Sequence, residues 1–330
     1  MTLKKLSLLT ASLFILSLIV YYVDNKRGTD LVTDAELVKG LDVSAIYRVE
    51  VKVKTDQPIN IVREENRFIL KDHKGHPASM ERLNDLIFNL ANIQVREKVE
   101  DSPSDHDLKN YGLDVGGRLA LVQIYGQKGE KLLGLIVGKQ YKNFGNYVQK
   151  EGPKDGQNAV YLSRESIHLS SVYKDYIETR LLQIPSEDIS KVEVQINGKK
   201  GAIKKDKDQE YFTNFNVVAF DDYFRPDEHD VMGLNFADEV KIFLKNKLTY
   251  RLSLARSGEQ AFLKIHALLD EMPNQIEISK TDSPERLKEI EGMARAQGEA
   301  QRFNILKAPW IYRIDENTAK KILKDPKELL

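Results

Sequence analysis

Few side chains in this sequence have types and spacings that could do chemistry. The six histidines are His73, His76, His106, His168, His229 and His266. His73 and His76 form an H-x-x-H pair, a spacing that can bind a metal when a helix or strand fixes its aim. This pair sits in the turn-forming stretch "DHKGHP" and reads as a solvated turn. The densest group of hard-cation ligands is "DDYFRPDEHD", with Asp221, Asp222, Asp227, Glu228, His229 and Asp230. It lacks the regular alternation and the glycine of a calcium loop, so a solvated acidic loop is the preferred reading. Ser171 to Lys174 fits S-x-x-K, but neither S-D-N nor K-T-G accompanies it. P-loop, G-x-S-x-G, H-E-x-x-H and G-x-G-x-x-G motifs do not occur. With no cysteine in the chain, thiolate catalysis, disulfides and Cys-type zinc sites are excluded. No catalytic residue, cofactor or metal is expected.

The elements that would position any site begin with an apolar run. Leu6 to Val23 carries no charge and as a helix would be about 27 Å long, near the thickness of a bilayer core. Lys4 and Lys5 precede it, and Tyr21 and Tyr22 lie at its far end. The bulky "LIVYYVDN" does not suit a signal peptidase, so an uncleaved anchor is favoured over a removed signal. In a bacterium this gives residues 1–25 as a cytoplasmic tail and single inner-membrane span, with a large periplasmic body. Lys+Arg and Asp+Glu are both 50, and that balance argues against nucleic acid as a partner.

Residues 26–40 read as a juxtamembrane linker with one short helix, capped by Thr33 and Glu36 and stopped by Gly40. Period-two alternation then marks strands in "AIYRVEVKV", "INIVR" and "RFILK". Met80, Leu83, Leu86, Ile87, Leu90 and Ile93 make a helical stripe behind the cap Ser79. "REKVEDSPSDHDLKN" reads as a charged loop, and Leu119–Tyr125 and Lys131–Val137 as a hairpin turned by Gly126 and Gly129. "IYRVEVKV" (46–53) aligns on "ISKVEVQI" (189–196) at an offset of 143, and "VYLSRES" (160–166) on "IYRIDEN" (311–317) at 151. Two anchors at similar offsets predict two copies of one unit. The expected fold is α+β: an N-terminal transmembrane helix, then two tandem similar domains with antiparallel sheets, 41–183 and 184–330. The stretch near 213–235 reads as an insertion or lid in the second copy.

"DLKNYGLD", Asp107 to Asp114, followed by a strand and by "LLGLIVGK", resembles the DUF4340 family. The meander and helix before it, and "NYVQK" and "AVYLSRES" after it, fit in order over roughly residues 40–330. Val115–Gly117 replaces a proline common in that family. Tyr111, Gly112, Leu113 and Asp114 read as a conformational turn: Gly112 for a positive φ, Tyr111 and Leu113 as pins, Asp114 as a cap. The resemblance implies a membrane-anchored extracytoplasmic protein, similar in context to auxiliary components of gliding-motility-type ABC transport systems. The leading functional reading is therefore a non-enzymatic accessory or scaffold protein that binds protein partners of a membrane complex. A periplasmic module for a glycan or lipid is the alternative. A hydrolase using Asp221, Asp222, Asp227 and His229 comes third.

Overall fold

The computed structural model describes residues 35–38, 40–142, 144–152, 158–204, 208–269 and 283–324. The apolar stretch Leu6–Val23 and the cap Thr33 lie outside the described residues. Among the described residues no helix is long and apolar enough to cross a membrane. They form mostly antiparallel sheet with a few helices, an α+β architecture. The chain divides between Ile177 and Glu178 into two units. The division precedes the expected 183/184 because the strand Arg180–Leu182 pairs with Val218–Ala219 of the second unit.

The first unit has strands β1 (Ala35–Glu36), β2 (Arg48–Val53), β3 (Ile59–Glu64), β4 (Arg67–Leu70), β5 (His76–Pro77) and β6 (Gln94–Glu100). It continues with β7 (Ala120–Tyr125), β8 (Lys131–Tyr141), β9 (Gly145–Lys150) and β10 (Val160–Ser163). Its helices are α1 (Met80–Ala91) and α2 (Asp105–Tyr111). The strands form one antiparallel sheet in the order β1-β6-β10-β9-β8-β7-β2-β3-β4-β5. Alternation sets the faces: Val49 and Val51 are buried while Arg48, Glu50 and Lys52 point outward. Ser79 Oγ accepts from Arg82 N to start α1, which buries Leu83, Ile87 and Leu90 but leaves Met80 and Phe88 exposed.

Two expectations need correction here. Ala35–Glu36 is a strand paired with Gln94–Val95, not part of a short helix, although Gly40 does take a positive φ of 70°. The charged stretch after Gln94 is not a loop but β6 followed by α2. β6 alternates too weakly to be recognised, because it is only half-buried.

The second unit contains β11 (Arg180–Leu182), β12 (Ile189–Ile196), β13 (Lys199–Lys204), β14 (Val218–Ala219) and β15 (Asp222–Phe224). Then come β16 (Asp238–Leu244), β17 (Leu248–Ser257), β18 (Gln260–Leu269) and β19 (Ile311–Ile314), with helices α3 (Gln209–Phe212), α4 (Pro284–Lys307) and α5 (Glu316–Ile322). Asn197 and Gly198, with φ of 48° and 79°, turn β12 into β13. The large sheet runs β13-β12-β16-β17-β18-β19-β15, and β11 pairs separately with β14. Read from its other end, this is the order β6-β10-β9-β8-β7-β2-β3 of the first unit.

The cross-strand pairings carry the correspondence further. Val51 pairs with Val122, which pairs with Leu135; Val194 pairs with Val240, which pairs with Leu252. Continuing across each sheet through Val137 and Val148, or Leu254 and Leu263, leads to Tyr161 and to Tyr312. Those tyrosines are 151 residues apart, and the starting valines 143. Both offsets are those of the two sequence anchors.

The stretch 213–235 is not a lid. It supplies β14 and β15 and buries Phe215, Val218, Phe220, Tyr223, Phe224 and Val231. Its aromatic side chains are core; it read as an insertion or lid only because its sequence does not match the first copy. Ser283 Oγ accepts from Arg286 N and Pro284 takes the first turn of α4. The Asn304 carboxamide of α4 accepts from Ala267 N and donates to Ala267 O, both at 2.8 Å. It thus completes the ladder of β18 beyond the residues that β19 pairs.

Candidate functional site

Among the described residues of the first unit lies a groove of about 710 Å3. One wall is the C-terminal half of α1, with Leu86, Phe88 and Asn89, continuing to Ile93 and Gln94. The other is the stretch Ser163–Ser170 after β10. Phe88 is 66% exposed on an otherwise polar helix face. Arg164 N donates to Gln94 O at 2.9 Å and ties the two walls together.

Beyond Arg164, side chains rather than a neighbouring strand hold the second wall. Buried Ser163 accepts at Oγ from Asn146 N (2.8 Å) and donates to Glu165 O (2.7 Å). Buried Asn146 donates from Nδ2 to Gly138 O (3.1 Å) and accepts at Oδ1 from Ile167 N (2.9 Å). A Cβ at Gly145 would overlap the Ser163 carbonyl, so only glycine lets β9 approach here. At the far end the Tyr176 hydroxyl donates to Ser170 O at 2.8 Å. Burial pushes that phenol up to about 12, so it stays neutral. Between these fixed points, the main chains of His168 and Leu169 make no hydrogen bond to another described residue. The groove therefore offers apolar side chains and main-chain donors and acceptors.

Tyr111, Gly112, Leu113 and Asp114 lie at the end of α2. Ser104 and Asp107 form a capping box at its start. At its end Gly112 takes φ 65°, Gly112 N donates to Lys109 O and Leu113 N to Leu108 O. This is a Schellman closure. Leu113 is buried, and Asp114 Oδ2 accepts from Gly116 N. Lys139 Nζ donates to the carbonyls of Lys109 and Asn110, where the helix C-terminus favours a cation. The Tyr111 hydroxyl donates to Glu100 Oε2 (3.1 Å), and its ring lies 4.7 Å from that of Tyr147. Desolvation, then Glu100, pushes the Tyr111 phenol up to about 12. The four residues lock a helix end onto β6 and β8.

The acidic residues of the second unit do not gather. Asp221 N donates to Arg313 O, and the Asp222 carboxylate pairs with Arg313 at 3.3 Å. Asp227 and His229 are exposed on the turn that follows β15. Among the described residues no three His, Cys, Asp or Glu side chains are placed to hold a metal ion. The H-x-x-H turn is more structured than expected: the His73 ring stacks 4.3 Å from Tyr173, and His76 is buried with Nδ1 2.9 Å from Pro77 O. Desolvation lowers the His73 pKa.

Sequence reasoning missed the groove because its walls lie about seventy residues apart in the chain. Ser163 and Asn146 are polar residues in strands, and alternation alone does not mark them as buried. The one local hint was Phe88, off the helical stripe.

No curated protein and no solved structure matches the chain. A family model described as a domain of unknown function matches residues 70–282, from the end of β4 to beyond β18. That span is more than half of the sequence and takes in both the α2 lock and the groove, and the chain belongs to the DUF4340 family.

Proposed function

We propose that this protein is a non-enzymatic accessory subunit, held in a bacterial inner membrane by Leu6–Val23 and binding a protein partner of a membrane complex in the periplasm. The observation that carries the reading is the groove beside Phe88, which pairs apolar side chains with unpaired main chain at His168 and Leu169. An extended partner segment can use both, through side-chain burial and strand-like hydrogen bonds. The family resemblance points to an ABC-type transport system as the complex. The groove volume also falls in the range of small-molecule sites, so a glycan or lipid ligand is the second reading.

Affinity purification of the full chain from gently solubilised membranes tests both. The expected result is a partner recovered in stable ratio, and lost at least about tenfold with Phe88→Asp, the size of a hot-spot effect. Phe88 is exposed, so this variant should keep its fold. Partner recovery indifferent to Phe88→Asp would remove the groove from the reading. No partner at all would turn attention to a small ligand. The anchor is tested separately by resistance to a carbonate wash and by an intact N-terminus; a mature start near Asp24 would sink it.

A further inference from the structure

We infer that the outward face of β12, β13, β16, β17 and β18 is a docking surface for a bilayer rich in anionic phospholipid headgroups. The register places Glu193, Lys241, Arg251 and His266 side by side in one cross-strand row. The next row is Lys200, Gln195, Glu239, Ser253 and Lys264. Lys191 lies in the row before, next to Phe243, whose ring its ammonium approaches to 4.2 Å. Five permanent cations thus share one face with two glutamates, in a chain whose formal net charge is zero. Glu193 engages Lys191 at 2.9 Å, and Glu239 lies between Lys241 (3.4 Å) and Arg251 (3.3 Å). Lys200 and Lys264 have no carboxylate partner among the described residues. Burial lowers the His266 pKa, and Arg251 and Lys264 lower it further, as a positive field requires.

The fold does not impose this charge. At the positions of the first unit that correspond by pairing, Arg48 stands for Lys191 and Lys52 for Gln195, while Gln123 stands for Lys241, Gly134 for Arg251, Gln149 for Lys264 and Glu151 for His266. The same sheet face therefore carries cations in both units, but in the first unit the positions of Lys241, Arg251 and Lys264 are uncharged and Lys131 is paired with Glu151. The occupant should be broad and flat, because the cations spread over five strands spaced about 4.8 Å apart. An acidic peptide would follow one row or one strand edge and leave most of them unused. A headgroup plane meets all of them, each near-surface cation strengthening binding about fivefold.

The inference rests on the anchor reading only for bringing the chain to a membrane. Since the chain has no cysteine, Ser253→Cys in the full-length protein gives a single spin-label site within the face, between Glu239 and Lys264. The label is read in vesicles of phosphatidylcholine and in vesicles of phosphatidylcholine with equimolar phosphatidylglycerol. Accessibility to a water-soluble relaxant should fall several-fold on the anionic vesicles and recover at high salt. It should also recover with Lys191→Glu, Lys241→Glu and Lys264→Glu combined. Equal accessibility on both vesicle types overturns the inference, as does protection that ignores salt. Protection seen only in native membranes, and absent from pure lipid, overturns it in favour of an acidic protein. If carbonate strips the chain from vesicles, the anchor reading fails. The same label comparison on chain added to preformed vesicles then decides this one.

Discussion

Gly138 in β8 and Ala255 in β17 occupy the same place in two sheets of the same strand order. In the first unit the end of α2 closes on that place, with Tyr111 O, Leu113 and Gly112 O crowding the spot a Cβ would take. In the second unit Ala255 has its Cβ and packs with Phe224, Val231, Phe262 and Ile311, flanked by Leu234 and Phe236. One spot on one sheet is thus covered by a capped helix end in one case and by an aromatic chain segment in the other. The strand order depends on alternation that both units keep. What covers the outer face depends on single residues, and there the two units differ.

The comparison can be broken from either side. Gly138→Ala forces a methyl to within 2.5 Å of Tyr111 O and 3.0 Å of Gly112 O, both main-chain atoms that cannot rotate away. The expected loss is about 2–3 kcal/mol, as for overpacking a tight core, read by denaturant unfolding. An unchanged stability would mean that the α2 lock is not seated on β8. The reverse change, Ala255→Gly, removes one buried methyl, about 0.8 kcal/mol, and adds the cost of a glycine in a strand, roughly 0.5–1 kcal/mol. A loss of about 1.5 kcal/mol is expected, smaller than for Gly138→Ala. An inverted ranking would show that the two positions are not equivalent.

The parts legible in the sequence were those that write a period. Val49 and Val51, with Val192 and Val194, alternate cleanly because each strand has one buried face. Leu83, Ile87 and Leu90 recur at helical spacing behind a serine cap. β6 and α2 were not legible. β6 is half-buried, and α2 buries no side chain, so neither repeats an apolar position. The capping box of Ser104 and Asp107 lies within a run of charges that read as a loop. β14 and β15 are two and three residues long, too short for any period to register. The DUF4340 resemblance came from Tyr111–Asp114, whose geometry proved to be a helix closure. The groove and the cationic face depend on which strands neighbour which, and no local pattern records that.

The smallest effect concerns ion pairs. In the first unit Arg48 and Glu50 sit 4.0 Å apart on β2, and Glu50→Gln should change stability by less than about 0.5 kcal/mol. At the start of the second unit Glu178 is held far more tightly. Its carboxylate accepts from Arg180 Nε and N at 2.9 Å and from Nη2 at 2.8 Å. Chiefly through the Arg180 side chain, the pKa falls from the usual 4.5 to about 2. A depressed acid stabilises the fold above its unfolded pKa, because there the unfolded chain binds the proton more readily. Stability from this pair should therefore be complete above pH 4.5 and disappear as the pH falls toward 2. Both side chains are about a third or more exposed, so solvent screening leaves about 1 kcal/mol. Thermal melts of wild type and Glu178→Gln should differ at neutral pH and converge near pH 2. A gap that stays constant across that window would mean Glu178 acts through its shape and neutral hydrogen bonds, and the two ion pairs would then differ in geometry without differing in electrostatic worth.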